Sequence, residues 1–281
     1  MATNSSTPTS TSLTDPARRA HGNNGPRPVR IHEWRAEQGP PPMVLLSHGT
    51  GGQAQDLAWW AAGLCAAGFD VLAVDHHGNT SVEPYVAEAF VRWWDRPQDL
   101  SFALDQVEVR GPVGVAGFSL GGYTAAAICG ARLDREVCSA LRTGALDLPG
   151  PPEYPGLAEE LRTRDEAGTV QDWAARASSD HRDRRVRSGF LLCPALGPLL
   201  EPESLAAIDV PVAVRWTASD TEAPPEENGV RYARGIPGAD GDTVGGPDSG
   251  HYGFVMPEYD DPQAKADVMA ESITFFRRTL G

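Results

Sequence analysis

Short, unbroken apolar runs separated by amphipathic stretches dominate this chain after residue 26. Met43-Val44-Leu45-Leu46-Ser47 and the segments 71–74, 113–118, 190–193 and 210–216 have the length and apolar continuity of strands covered on both faces. Between them, 54–67, 83–94, 98–108 and 120–131 read as helices. Strands alternating with helices of this length predict an α/β fold, with a mostly parallel central sheet and helices on both faces. Val29-Arg30-Ile31-His32-Glu33-Trp34 alternates like a half-buried edge strand and is broken by Gly39-Pro40-Pro41-Pro42. A final amphipathic helix over 262–280 brings Val268, Ile273, Phe275 and Phe276 back to the core.

Two stretches depart from this alternation. Residues 1–26 are rich in Ser, Thr, Asn, Pro and Arg without periodicity, which predicts a mostly disordered leader ahead of one domain over 27–281. Residues 133–187 carry Pro149, Pro151, Pro152 and Pro155 and then a charged helical pattern over 157–177. This is an insertion, expected to form a small cap over the site.

The 281 residues carry a formal charge of −14, which argues against nucleic acid or anionic membrane surfaces as partners. No apolar run is long enough to span a membrane, and the first residues lack the basic start and apolar stretch of a secretory signal. A cytoplasmic protein is the expectation. Four cysteines, Cys65, Cys129, Cys138 and Cys193, form no C-x-x-C pair. Cys65 and Cys193 read as small buried hydrophobes, while Cys129 and Cys138 are close enough along the chain for a local disulfide.

Gly117-Phe118-Ser119-Leu120-Gly121-Gly122 lies where an apolar strand gives way to a helix. Glycines two before and two after the serine permit a tight, strained corner that lifts the hydroxyl above the sheet edge, as in a nucleophile elbow. A serine hydroxyl is a weak nucleophile near neutral pH, so it needs a base and an acid that orients the base. His251, in Ser249-Gly250-His251-Tyr252-Gly253, sits in a loop before the last helix, where such a sheet delivers its base. His21, His32 and His181 occupy poorer positions. The acid is expected between nucleophile and base at a strand end. Asp220, after the strand ending at Trp216, is the choice; Glu222 is a second position in the same loop, and Asp248 is too near His251 along the backbone.

A developing oxyanion requires fixed N–H donors. Leu120 offers one from the helix start, and Thr50, in Ser47-His48-Gly49-Thr50-Gly51-Gly52, is the candidate for the second. A phosphate-cradling role for this turn is weak because no lysine follows it. Asp75-His76-His77 lacks a spaced third ligand, and adjacent histidines on extended chain face opposite ways, so no metal is expected. Of the aromatic residues, Trp216 and Tyr252, beside the acid and the base, are the candidates for a substrate pocket.

Ser47-His48-Gly49 with Gly51-Gly52, Asp75-His76, the elbow around Ser119, Pro194-Ala195-Leu196-Gly197-Pro198, Asp220 with Pro224, and Gly250-His251 follow one another in order. In them the chain resembles the α/β-hydrolase superfamily, and more narrowly predicted dienelactone hydrolase-like bacterial esterases. The resemblance implies hydrolysis of a carboxylic ester, lactone or thioester of a small organic substrate through an acyl-enzyme, without a cofactor. Dienelactone hydrolases proper use a cysteine nucleophile where this chain has Ser119, which favours a more general esterase. Two rival readings are an acyltransferase or cyclase using the same triad and a catalytically silent ligand-binding protein on the same fold.

Overall fold

The structure is a computed structural model describing residues 7–22, 25–37, 39–146, 150–163 and 170–281. Eight strands make one sheet: β1 (Thr9–Arg19), β2 (Pro26–Trp34), β3 (Met43–Ser47), β4 (Asp70–Asp75), β5 (Val113–Phe118), β6 (Val186–Leu192), β7 (Val212–Trp216) and β8 (Asp240–Thr243). Their order is β1-β2-β4-β3-β5-β6-β7-β8. β1/β2 and β2/β4 pair antiparallel, and every pairing from β4 to β8 is parallel.

Every residue of β3, β4 and β5 is buried because helices cover both faces. The period of two divides their side chains between the faces. Leu45, Leu72, Val74 and Val115 pack on one side with α2 (Asp95–Asp105) and α3 (Leu120–Cys129). Val44, Leu46, Val71, Ala73 and Ala116 pack on the other with α1 (Ala58–Ala66) and α9 (Pro262–Leu280).

The expected disordered leader is corrected by β1, which pairs with β2 from Thr9↔Glu33 onward and bulges between Asp15 and Arg19, where Pro16 removes a donor. Its side chains are polar because most face solvent, so the strand coheres through backbone bonds and gives no hydrophobic signal. β2 is therefore an inner strand. The helix expected over 83–94 reduces to one 3₁₀ turn, Ala87–Phe90, because Phe90, Trp93 and Trp94 are buried in different directions. Phe90 meets Tyr85 and Tyr154, while Trp93 and Trp94 both meet Trp173. β8, Asp-Gly-Asp-Thr with every residue exposed, carries no strand signal and was not anticipated. Cys193 lies just past β6 in a left-handed turn (φ 43°).

The insertion contains α4 (Arg135–Thr143), α5 (Leu157–Thr163) and α6 (Val170–Ala177), while Pro149 lies outside the described residues. Leu157 and Tyr154 pack against Ala87, Phe90 and Tyr85, which pins the turn before α5 against the rim of the sheet. Two further helices, α7 (Pro202–Ala206) and α8 (Gly229–Gly235), complete the outer layer. All four cysteines are free, Cys129 and Cys138 included. No helix among the described residues is long and apolar enough to cross a membrane.

Candidate active site

The site forms at the carboxyl ends of β3, β5 and β7, where loops leave a parallel sheet. Ser119 turns the chain from β5 into α3 with φ 56° and ψ −120°, a strained conformation for a non-glycine residue. The corner closes so tightly that a Cβ on Gly117 would lie 2.0 Å from Gly121 O. One on Gly121 would lie 2.0 Å from Ser47 O. Both glycines are therefore sterically required. Ser119 N donates to Leu192 O (2.9 Å), and Ser119 O accepts from Gly122 N (2.8 Å) and Ala195 N (3.1 Å), so neighbouring elements hold the strained residue in place.

His251 opens a 3₁₀ turn, His251–Phe254, and its Nδ1 lies 2.6 Å from Asp220 Oδ2. The other carboxylate oxygen of Asp220 accepts the backbone N–H groups of Glu222 (3.0 Å) and Ala223 (2.7 Å), so both oxygens are engaged and the acid cannot rotate freely. Ser219 N donates to Ser249 O (3.1 Å) and Ser219 Oγ to Pro247 O (2.7 Å), tying the acid loop to the base loop. With Nδ1 donating to a carboxylate, Nε2 is the imidazole nitrogen left to accept a proton. Asp220 and His251 are buried and Ser119 is half-buried, so the hydroxyl is the accessible member of the three. Ser119 and His251 line one cavity of about 180 Å³.

Thr50 also lines that cavity. In its turn the Gly51 N–H is taken by Asn79 Oδ1 (2.9 Å) and the Gly52 N–H by Gly49 O (3.4 Å). Leu120, the first residue of α3, has an N–H with no intrahelical acceptor to reach.

A buried polar network fixes this turn, and sequence reading missed it. Arg96, 1% exposed on α2, donates to His48 O, to Asn79 Oδ1 (3.3 Å) and to Thr124 Oγ1 on α3 (3.1 Å), joining the Thr50 turn to the elbow helix. Burial pushes the Arg96 guanidinium down to about 9 and His76 down to about 3, so near neutral pH the first is charged and the second is not. His76 bridges Ser47 Oγ (2.9 Å) and Asp99 Oδ2 (3.1 Å). Asp99 in turn receives Arg27 through two bonds of 2.7 and 2.8 Å. His77 points the other way, to Glu83 (2.6 Å). Tyr85 closes the turn by donating to Gly51 O (2.7 Å). In the sequence, Arg96 reads as one more charge near a helix start, and nothing local separates it from a solvent-facing arginine.

Among the described residues, one set of ligand-type atoms lies mutually within 4.8 Å: Cys193, Asp220 and His251. Burial and the neighbouring Asp220 charge push the Cys193 thiol well up, so it stays protonated and its S–H faces the carboxylate. Of the two pocket candidates, Tyr252 lines the cavity and Trp216 does not. The Trp216 ring lies over Gly229 and Gly241, where a Cβ would meet it at 2.7 and 3.3 Å. It packs against α8 and β8 rather than against the cavity. Glu222 and Asp248 are both exposed. Glu153, from the insertion, lines the cavity and accepts from Tyr252 OH (3.3 Å).

This sheet and elbow define a hydrolase of the α/β type. The sequence matches the alpha/beta hydrolase family over residues 43–268, and the chain belongs to that family. No curated protein sequence matches it. Among solved structures, it is similar to a ferulic acid esterase from Streptomyces cinnamoneus, at 19% identity and a TM-score of 0.60 over 96% of this chain and 88% of that one. It is similar also to a predicted CIB-like hydrolase from Thermoplasma acidophilum (15% identity, TM-score 0.52, 96% and 99% covered). A third is a cold-adapted esterase from an Arctic intertidal metagenomic library (14%, TM-score 0.53, 97% and 93%). At these identities the likeness is one of fold.

Proposed function

We propose that the protein hydrolyses carboxylic esters of small organic molecules through an acyl-enzyme on Ser119. The observation that carries this reading is the 2.6 Å contact between His251 Nδ1 and Asp220 Oδ2, with His251 facing the cavity that Ser119 enters from a strained elbow. His251 Nε2 takes the hydroxyl proton as Ser119 Oγ bonds to the carbonyl carbon, and Asp220 holds the ring in that tautomer and stabilises the imidazolium. The Thr50 and Leu120 N–H groups receive the oxyanion. Collapse of the tetrahedral species expels the alcohol, protonated by His251. Water then gives a proton to His251 as its oxygen bonds to the acyl carbon, and collapse breaks the acyl–Oγ bond, with His251 returning that proton to Ser119 Oγ as the acid leaves.

The named esterases among the structural neighbours support an ester as substrate. The serine nucleophile favours a general esterase over a dienelactone hydrolase. A fluorophosphonate probe is expected to label Ser119, and Ser119→Ala to lose both labelling and turnover of p-nitrophenyl acetate. Labelling and turnover that survive the substitution refute the assignment, and transfer to an added alcohol or amine acceptor that outpaces hydrolysis favours an acyltransferase.

A further inference from the structure

The walls of the cavity carry charge of one sign. Among the described residues that line it, the ionisable groups other than histidine and tyrosine are the carboxylates Asp56 and Glu153, and no lysine or arginine reaches it. Asp56 has an internal task, accepting the Gln53 N–H (2.9 Å) at the start of the 3₁₀ turn Ala54–Leu57. Glu153 caps no helix; its side-chain partner is the Tyr252 hydroxyl. Glu153 comes from the insertion and stands in the turn before α5, which Tyr154 and Leu157 anchor against Phe90.

Its stem rests on the Thr50 turn: a Cβ on Gly51 would lie 3.0 Å from Glu153 Cβ. Its carboxylate takes one bond from Tyr252 OH, the residue next to His251, and so faces the space beside the reacting centre. Burial raises the Glu153 carboxyl, while the bond from Tyr252 and the nearby His251 draw it back down, and the exposed Glu222 of the acid loop stands near enough to add a second acidic group at this mouth.

We propose that Glu153 selects the substrate, so that the cavity takes esters carrying an ammonium or comparable cation within a few bonds of the carbonyl and rejects those carrying a carboxylate. The claim rests on the esterase reading for its chemistry but not for its physics. A carboxylate held in a confined, partly desolvated cavity attracts a cation and repels an anion whether or not the bound ester is cleaved.

Three p-nitrophenyl esters of matched length test it: 5-(trimethylammonio)pentanoate, heptanoate and hemiadipate. Affinities are read by calorimetry on the Ser119→Ala protein, and kcat/KM on the wild type. The cationic ester is expected to bind at least tenfold more tightly than the anionic one, with kcat/KM following the same order. Glu153→Gln, which keeps shape and hydrogen bonding, should shrink the cation-to-anion ratio at least fivefold, and 0.5 M NaCl should shrink it in the wild type.

Equal affinity for the two charged esters overturns the proposal, as does a ratio that Glu153→Gln leaves unchanged. Should none of the esters be turned over while the binding ratio and its loss in Glu153→Gln persist, the esterase reading fails and the charge selectivity stands.

Discussion

Asp99→Asn is the sharpest test of the network beneath the Thr50 turn. Asp99 is fully buried on α2 and is the anion shared by Arg27 (2.7 and 2.8 Å), Arg18 (2.8 Å) and His76 (3.1 Å). The substitution keeps volume and removes one charge, leaving the buried Arg27 guanidinium with the more distant Asp95, 3.8 Å from Nη1, and Glu83 as counter-charges. Two unit charges 4 Å apart interact by about 4 kcal/mol at an effective dielectric of about 20. Removing one partner of a buried pair typically costs about 3–5 kcal/mol. The two routes agree. For a chain of this size about 2–4 °C follows each kcal/mol, so Tm should fall by about 6–20 °C in circular-dichroism melts at pH 7.5. Arg27→Met/Asp99→Leu, which removes both members of the closest pair, should melt above Asp99→Asn, because the buried Arg27 charge leaves together with its partner. A single variant within about 2 °C of wild type, or a double variant no better than the single, would show that this buried pair is not what holds α2 to β2.

Two further outcomes follow from the same geometry. Asp220→Asn is expected to lower kcat by about 10³–10⁴ with little change in KM or Tm, measured with p-nitrophenyl acetate, because an amide no longer fixes the productive tautomer of His251. Acid should destabilise the fold from about pH 6.5 downward. Burial lowers His76 to about 3 and His48 well below its ordinary value, so the unfolded chain binds protons that the folded one refuses, and stability complete above pH 6.5 is lost as pH falls. Each histidine contributes up to about 1.4 kcal/mol per pH unit across that window, and His76→Gln should flatten the Tm-against-pH curve between pH 6.5 and 4.5.

What sequence could reveal depended on range. The strands β3 to β7 and helix α3 were legible because their apolar residues are consecutive and buried on both faces, and the elbow because steric demand forces glycine at 117 and 121. The placement of Asp220 followed from strand order. β1 and β8 escaped because an exposed edge strand is specified by backbone pairing, which leaves no hydrophobic trace in Thr-Ser-Thr-Ser or Asp-Gly-Asp-Thr. Trp216 was assigned to the pocket from its proximity to Asp220 in sequence, yet side chains alternate along a strand and this one turns toward α8. Arg96, Asn79 and Glu153 acquire meaning only from partners 17 to 99 positions distant, and no local pattern announces such contacts.

The outermost strand ties the front of this chain to its interior. β1 shields the hydrogen-bonding rim of β2 and carries Arg18, which reaches the same carboxylate that Arg27 and His76 share. A chain trimmed at residue 26 as though the preceding stretch were dispensable would lose that guanidinium and lay bare a strand border open to pairing with another molecule.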